Sequence, residues 1–294
     1  MSLSFHAAQT PHFFTVDVED YFQVGAFERL IPRSTWDQYA CRVERNVDVL
    51  LGLLEGAKAT ATFFTLGWIA ERYPEMVRRI ARGGHEIASH GATHRRVNLL
   101  SPAEFRDEIR TSKATLEDAC GTVVTGFRAP NFSILPGFEW AFETLLEEGY
   151  EYDSSRFPIN RPGYGSPNTP RYAHAIRCAA GTLLELPLTT LDVLGAHLPA
   201  AGGGYLRHFP YGVVRNAFRA RQNAGIPGVF YMHPWEIDPE QPRVDAPFLT
   251  RLRHYGGLRK MQPRIERLLA EFRFTSVADA LPEIRRTAPL VHAA

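Results

Sequence analysis

The sequence predicts an α/β fold assembled from repeated βα units. Short β-rich runs alternate with amphipathic helical runs along nearly the whole chain, a pattern that sandwiches and helical bundles do not give. The chain has 294 residues, 45% of them apolar, which is enough to bury one large core and is an ordinary size for a single barrel of such units. Polar residues recur just after the apolar runs, where barrels of this kind gather their active sites.

Strands are expected at His12–Val18, Thr60–Leu66, His85–Ser89, Val123–Arg128, Tyr150–Asp153, Leu183–Leu188, Val229–Met232 and Phe274–Val277, with helices between most of them. The best-marked helix opens at Ser101-Pro102-Ala103-Glu104, where Ser caps, Pro suits the first helical position and Glu completes a capping box. It ends at Gly121. Phe138–Glu148, closed by Gly149, follows the same logic. The run Gly202-Gly203-Gly204 reads as a loop, and Arg215, Arg219 and Arg221 as a solvated helix face.

Lys and Arg number 33 against 32 Asp and Glu, so overall charge draws neither nucleic acid nor an anionic membrane. Cys41, Cys120 and Cys178 are odd in number and form no CxxC pair, which points to reduced thiols. The start Met1-Ser2-Leu3-Ser4-Phe5-His6 lacks a basic segment followed by an apolar run, and no stretch reaches membrane-spanning length. A cytoplasmic protein without a membrane span is the expectation.

Ser89-His90-Gly91-Ala92-Thr93-His94 sets two histidines four apart, which on a helical turn lets both imidazoles grip one cation. With eleven histidines in the chain this spacing also arises by chance. Asp17, Glu19 and Asp20 follow the apolar run Phe13-Phe14-Thr15-Val16; alone they read as a solvated turn or helix cap. Together with the histidines, one of these carboxylates completes a set that leaves a zinc-like ion open positions for water and a carbonyl. Arg128, at the end of its strand, is placed to hold a carboxylate ionised, and His233 leaves a hydrophobic strand beside Trp235.

In this order the motifs resemble the polysaccharide deacetylases of the NodB, or carbohydrate esterase 4, family. Thr15-Val16-Asp17, Ser89-His90 through His94, Arg128-Ala129-Pro130 and Met232-His233 carry the resemblance from about Phe13 to Glu236. Asp-Val-Glu-Asp-Tyr-Phe, His-Pro-Trp-Glu-Ile-Asp and Gly202–Arg207 look like the branch encoded with bacterial exopolysaccharide biosynthesis and exosortase systems. The resemblance implies an irregular (β/α) barrel of about seven units, forming one domain over residues 1–294 with a branch-specific extension from about residue 237. It implies a hydrolase that removes N-acetyl groups from an amino-sugar polymer, oligomer or precursor, using a divalent metal, with zinc the first choice.

Carried over residue by residue, the resemblance makes Asp17 the general base, His233 the general acid, Arg128 the group that orients Asp17, and His90 and His94 metal ligands. Pro130, Tyr205 and Trp235, with Tyr164 beside them, are expected at the substrate. A carboxylate should hold His233; Asp153 is the first choice, with Glu185 and Asp192 as rivals. The usual first motif has adjacent aspartates, whereas Val18 separates Asp17 from the next carboxylate, leaving Glu19 and Asp20 as alternative ligands. Glu19 is favoured, because a strand running through it would point Asp17 and Glu19 the same way. Two other readings stand beside this one: an allantoinase-like hydrolase of a small cyclic amide, and a carbohydrate-binding protein without turnover.

Overall fold

The computed structural model describes residues 10–193 and 195–292. In chain order it forms β1 (His12–Val18), α1 (Val43–Gly56), β2 (Thr62–Thr65), α2 (Gly67–Arg72), α3 (Pro74–Arg82), β3 (Glu86–Ser89), α4 (Pro102–Cys120), β4 (Gly126–Phe127), α5 (Trp140–Glu147) and β5 (Tyr152–Asp153). There follow β6 (His174–Cys178), β7 (Gly181–Glu185), β8 (Thr190–Val193), β9 (Ala196–Pro199), α6 (Gly203–His208), α7 (Tyr211–Asn223) and β10 (Val229–Met232). The chain ends in α8 (Phe248–Tyr255), α9 (Met261–Glu271), β11 (Phe274–Thr275), α10 (Val277–Thr287) and β12 (Leu290–His292).

The main sheet runs β10-β1-β2-β3-β4-β5-β7-β6-β12, with β11 paired to the start of β1. Every neighbouring pair from β10 to β7 is parallel, as βα units require, whereas β6 and β7 form an antiparallel hairpin. The gap between β7 and β10 is spanned by the chain around the β8–β9 hairpin. Val229 N–H donates to Thr189 Oγ1 at 2.8 Å, Tyr231 N–H donates to the Ala201 carbonyl at 2.9 Å, and Gly202 forms a parallel bridge to Tyr231. The α/β class is as the sequence predicts, and the sheet curls round in the irregular manner expected, with this loose segment in place of a continuous ladder.

Alternation along β1 explains how the site arises. Phe14, Val16 and Val18 enter one core with Leu50 and Leu54 of α1, while Phe13 enters a second core with Phe64, Tyr152 and Leu184. The period of two therefore sends Thr15 and Asp17 to the same side as Phe13, into the barrel. Helix α4 begins with the capping box of Ser101 and Glu104 and stops at Gly121, whose φ of 73° suits a glycine.

Several expectations need correction. β4, β5 and β11 have only two residues each, and Val123 is exposed rather than part of a strand. β6, β8, β9 and β12 have no separate signal in the sequence; β6 pairs with β7 and β8 with β9 in short hairpins, and β12 pairs with the distant β6. The glycine run opens α6, and Arg221 is half-buried instead of solvated. The three cysteines are free and half-buried. Among the described residues no helix is long and apolar enough to cross a membrane.

His12, fully buried at the start of β1, packs edge-on against Phe218 and Phe272 and accepts a hydrogen bond from Gly228 N–H at Nδ1. Burial, helped by Arg221 and Arg219, pushes its pKa down to about 3. The folded state thus holds the neutral ring, and its stabilisation is complete above the unfolded pKa near 6.5 and is lost as pH falls toward 3. His12→Asn keeps an acceptor for Gly228 without titrating. The stability advantage of the native protein over this variant, measured by urea unfolding, should shrink steadily from pH 7 to pH 4.5; an advantage independent of pH would contradict this account.

Candidate metal and acid–base site

The carboxylates at the end of β1 reach the site through a turn. The strand stops at Val18, and Glu19 N–H donates back to the Asp17 carbonyl at 3.0 Å, a tight reversal that brings both side chains inward. Alternation through Glu19, the reason given for favouring it, is therefore not how it arrives. His90 follows β3, and the loop after it passes through positive φ at Gly91 (80°) and His94 (56°). The two imidazoles meet across a loop, not a helical turn. Glu108 of α4 pins that loop by accepting from Ala92 N–H, Thr93 N–H and the Thr93 hydroxyl, and Arg33 donates to the carbonyls of Thr93 and His94.

Donor atoms of Glu19, His90 and His94 all lie within 4.8 Å of one another. The His90 Nδ1–H donates to the Arg128 carbonyl at 2.8 Å, which fixes the tautomer and leaves Nε2 as a free lone pair. Burial lowers the His90 pKa to about 4, so the ring is neutral, as a ligand must be. Glu19 Oε2 sits 2.7 Å from His94 Nε2, yet it is buried without a hydrogen bond of acceptable geometry. An orphaned buried carboxylate oxygen is costly, and a cation between these atoms removes the cost. Burial pushes Glu19 up, but His94 and His233 outweigh it and hold the carboxyl at about 2. The residues fit a divalent cation.

Asp20 does not share this role. Its carboxylate faces away and accepts from Tyr21, Arg42 and Val43 N–H groups, closing the N-terminus of α1. Burial raises it to about 6 against those bonds.

Arg128 is fully buried and donates to Asp17 Oδ1 at 2.6 Å, to Thr15 Oγ1 at 2.7 Å, and to the carbonyl and hydroxyl of Ser154. Its guanidinium lies 4.1 Å from the Phe64 ring centre. Beyond it the chain takes positive φ at Asn131 (54°) and Phe132 (53°), a conformation that costs about 1–3 kcal/mol per residue and gathers at functional sites. Those two residues line the cleft. Pro130, expected at the substrate, is buried behind them near Gly91.

His233 completes the arrangement, with Nε2 3.3 Å from Glu19 Oε1 and Nδ1 3.3 Å from Glu236 Oε2. Glu236 also accepts from His233 N–H and from Arg207 Nε at 2.9 Å. Burial opposes the charged ring, but Glu19 and Glu236 raise His233 to about 9. Burial likewise raises Glu236, and Arg207 and His233 overcome it to leave the carboxyl at about 2. Glu236, not Asp153, holds the histidine. Its signal was visible as His-Pro-Trp-Glu, a residue and its capping partner three positions on.

Asp153 instead accepts from Ser155 N–H and Oγ and lies against Glu185, and burial raises both carboxyls. Asp192 pairs with Arg171 and His197 on the β8–β9 hairpin. The glycine run serves the same carboxylate: a Cβ on Gly203 would fall 2.0 Å from Glu236 Oε2, so the missing side chain admits Glu236 and not a sugar. Trp235 is buried in a stack between His233 and His254, and Tyr205 backs Tyr164 through a 3.1 Å hydroxyl contact. Neither lines the cleft. Tyr164, Phe132 and Tyr231 do, with Arg96 and Arg253, around a volume of about 460 Å³.

Residues 33–142 match the family described as "Polysaccharide deacetylase", and residues 154–282 match a "Domain of unknown function (DUF3473)". The chain is similar to a chitooligosaccharide deacetylase of Bradyrhizobium sp. (strain ANU 289), 37% identical over 24% of this chain and 32% of the relative. It is also similar to a peptidoglycan deacetylase of Helicobacter pylori (strain ATCC 700392 / 26695), 30% identical over 38% of this chain and 37% of the relative. The chain thus spans about a third of the length of these curated relatives. A solved structure from Mycobacterium smegmatis, described as a "putative polysaccharide deacetylase", shares the fold at a TM-score of 0.64 and 20% identity, covering 97% of this chain and 94% of that one.

The different surroundings of Glu19 and Asp20 give opposite expectations. Glu19→Gln should abolish stoichiometric metal, read by elemental analysis, with little change in melting temperature. Asp20→Ala should keep the metal while lowering stability by about 1–3 kcal/mol, because the N-terminus of α1 loses its acceptor. Loss of metal in the Asp20 variant alone would exchange the two roles.

Proposed function

We propose, from the match of residues 33–142 to the polysaccharide deacetylase family, that this protein is a hydrolase that uses a divalent metal to remove N-acetyl groups from an amino-sugar polymer, oligomer or precursor. One observation carries the reading. A single cleft is lined by a cluster of ligand atoms (Glu19, His90, His94), a carboxylate locked by a buried Arg (Asp17 with Arg128) and an imidazole held by a carboxylate (His233 with Glu236).

Glu19, His90 and His94 would hold the cation, and this mixed carboxylate and imidazole set suits zinc. A divalent ion there supplies Lewis-acid polarisation of the acetamide carbonyl and lowers the pKa of water. Asp17, oriented by the Arg128 guanidinium, accepts the proton of the attacking water as general base. His233 gives its proton to the departing amine nitrogen, and Glu236, 3.3 Å from the ring Nδ1, favours the charged ring that carries that proton. Phe132, Tyr164 and Tyr231 offer apolar faces on which a sugar ring packs. The names of the chitooligosaccharide and peptidoglycan relatives support an N-acetylated hexosamine polymer as the substrate.

Residues 1–294 act as one catalytic unit in this reading. Asp17 and Glu19 precede the deacetylase match, His90, His94 and Arg128 lie within it, and His233 and Glu236 fall in the second matched stretch. β1 and β10 are paired, so the two halves meet at the site.

Two measurements test the assignment. Asp17→Asn and His233→Ala should each retain bound metal and lose acetate release by about 10²–10⁴-fold. Near-normal turnover in either variant would remove that residue's role. Oligomers of N-acetylglucosamine should outperform the monosaccharide, since neighbouring rings contribute binding energy. Turnover of allantoin with none of any amino sugar would transfer the site to small cyclic amides, and stoichiometric sugar binding without any acetate release would make the chain a binding protein.

A further inference from the structure

The near-zero overall charge conceals a local concentration of cations beside the cleft. Between Pro242 and Lys260 the chain carries Arg243, Arg251, Arg253, Arg259 and Lys260 against one carboxylate, Asp245. All six are exposed, and among the described residues no ion pair holds the side chains of Arg251, Arg253, Arg259 or Lys260. The centre of this stretch is α8, whose Phe248, Leu249 and Leu252 are 69%, 64% and 55% exposed, an unusual density of bare large apolar side chains for a helix of eight residues.

At about 100° per residue, Phe248, Leu252 and Leu249 fall within one stripe of roughly 100°, with Arg251 and Arg253 flanking it on either side. His254 occupies the opposite face, buried against Trp235. An outward apolar stripe bordered by arginines is the pattern of a helix that lies in the interface of a lipid bilayer. We propose that α8 and its cationic flanks dock this protein on an anionic lipid surface. The apolar stripe enters the acyl boundary while the guanidinium groups meet lipid phosphates, and both contributions are needed, because three side chains alone bind weakly.

The helix is tied rigidly to the catalytic side of the molecule. Arg207 donates to the carbonyls of His254 and Gly256 at the end of α8 and, through Nε, to Glu236. Arg253 lines the cleft itself. A docked molecule therefore turns the mouth of its cleft toward the surface. Resting on the deacetylase reading, this orientation suits an N-acetylated glycan held on a lipid, whereas the docking itself does not depend on that reading.

The test is sedimentation of the full chain with vesicles. Binding is expected on equal parts phosphatidylcholine and phosphatidylglycerol, not on phosphatidylcholine alone, and it should weaken at high salt. Replacing Phe248, Leu249 and Leu252 together by Ser should lower partitioning by at least tenfold, and Arg251→Gln with Arg259→Gln by about fivefold per charge. Metal content and acetate release from soluble oligomers should stay unchanged in these variants, which separates a failure of docking from a failure of the catalytic assignment. Absence of binding to anionic vesicles, or equal binding by the triple variant, overturns the proposal. Dimerisation that the triple variant abolishes, without vesicle binding, also overturns it and makes a second copy the occupant.

Discussion

The guanidinium of Arg128 is fully buried, and its charge has to be matched inside the barrel. Asp17 supplies the countercharge, while Thr15 and Ser154 occupy the remaining donors. The side chain thereby joins β1 to the segment after β5, and the Arg128 carbonyl orients His90 after β3. Asp17 and His90, the proposed base and one proposed metal ligand, are set by one residue. Removing it would leave Asp17 as an uncompensated buried carboxylate, typically a loss of about 3–5 kcal/mol.

A second buried ion pair, Arg207 with Glu236, organises the other side of the cleft. Glu236 needs its guanidinium partner to remain ionised in a dry site, and it needs Gly203 to leave space for its carboxylate. With those provided, it holds both the backbone N–H and the ring of His233. The stack of His233, Trp235 and His254 carries the same order outward to α8. His233, the proposed acid, and the outer surface therefore belong to one rigid assembly.

Local strain marks the contact between these two sides. Phe132 takes a backbone conformation unfavourable for an aromatic residue, and its ring meets Tyr231 at 4.9 Å, just before His233. Packing from both halves of the chain holds it there. The cost is borne where the cleft wall has to be shaped.

Alternation of apolar runs with helical periods is a local property, so the α/β class, the α4 capping box and the inward direction of Asp17 were legible in the amino-acid sequence. So were Asp17, His90, His94, Arg128 and His233 as chemistry-bearing residues, because each follows an apolar run in a motif of recognisable order. Choosing between neighbours required the tertiary structure. Glu19 and Asp20 are adjacent carboxylates, and only the tight turn after Val18 and the position of the α1 N-terminus send one inward and the other to a cap. Glu236 outranks Asp153 because Arg207 and Gly203, about thirty residues earlier, make a charged niche for it. The strand β12 likewise depends on β6, a partner distant in the chain. Periodicity is written residue by residue, whereas burial, ion pairing and the direction of a side chain after its strand ends are decided by what the rest of the chain brings alongside.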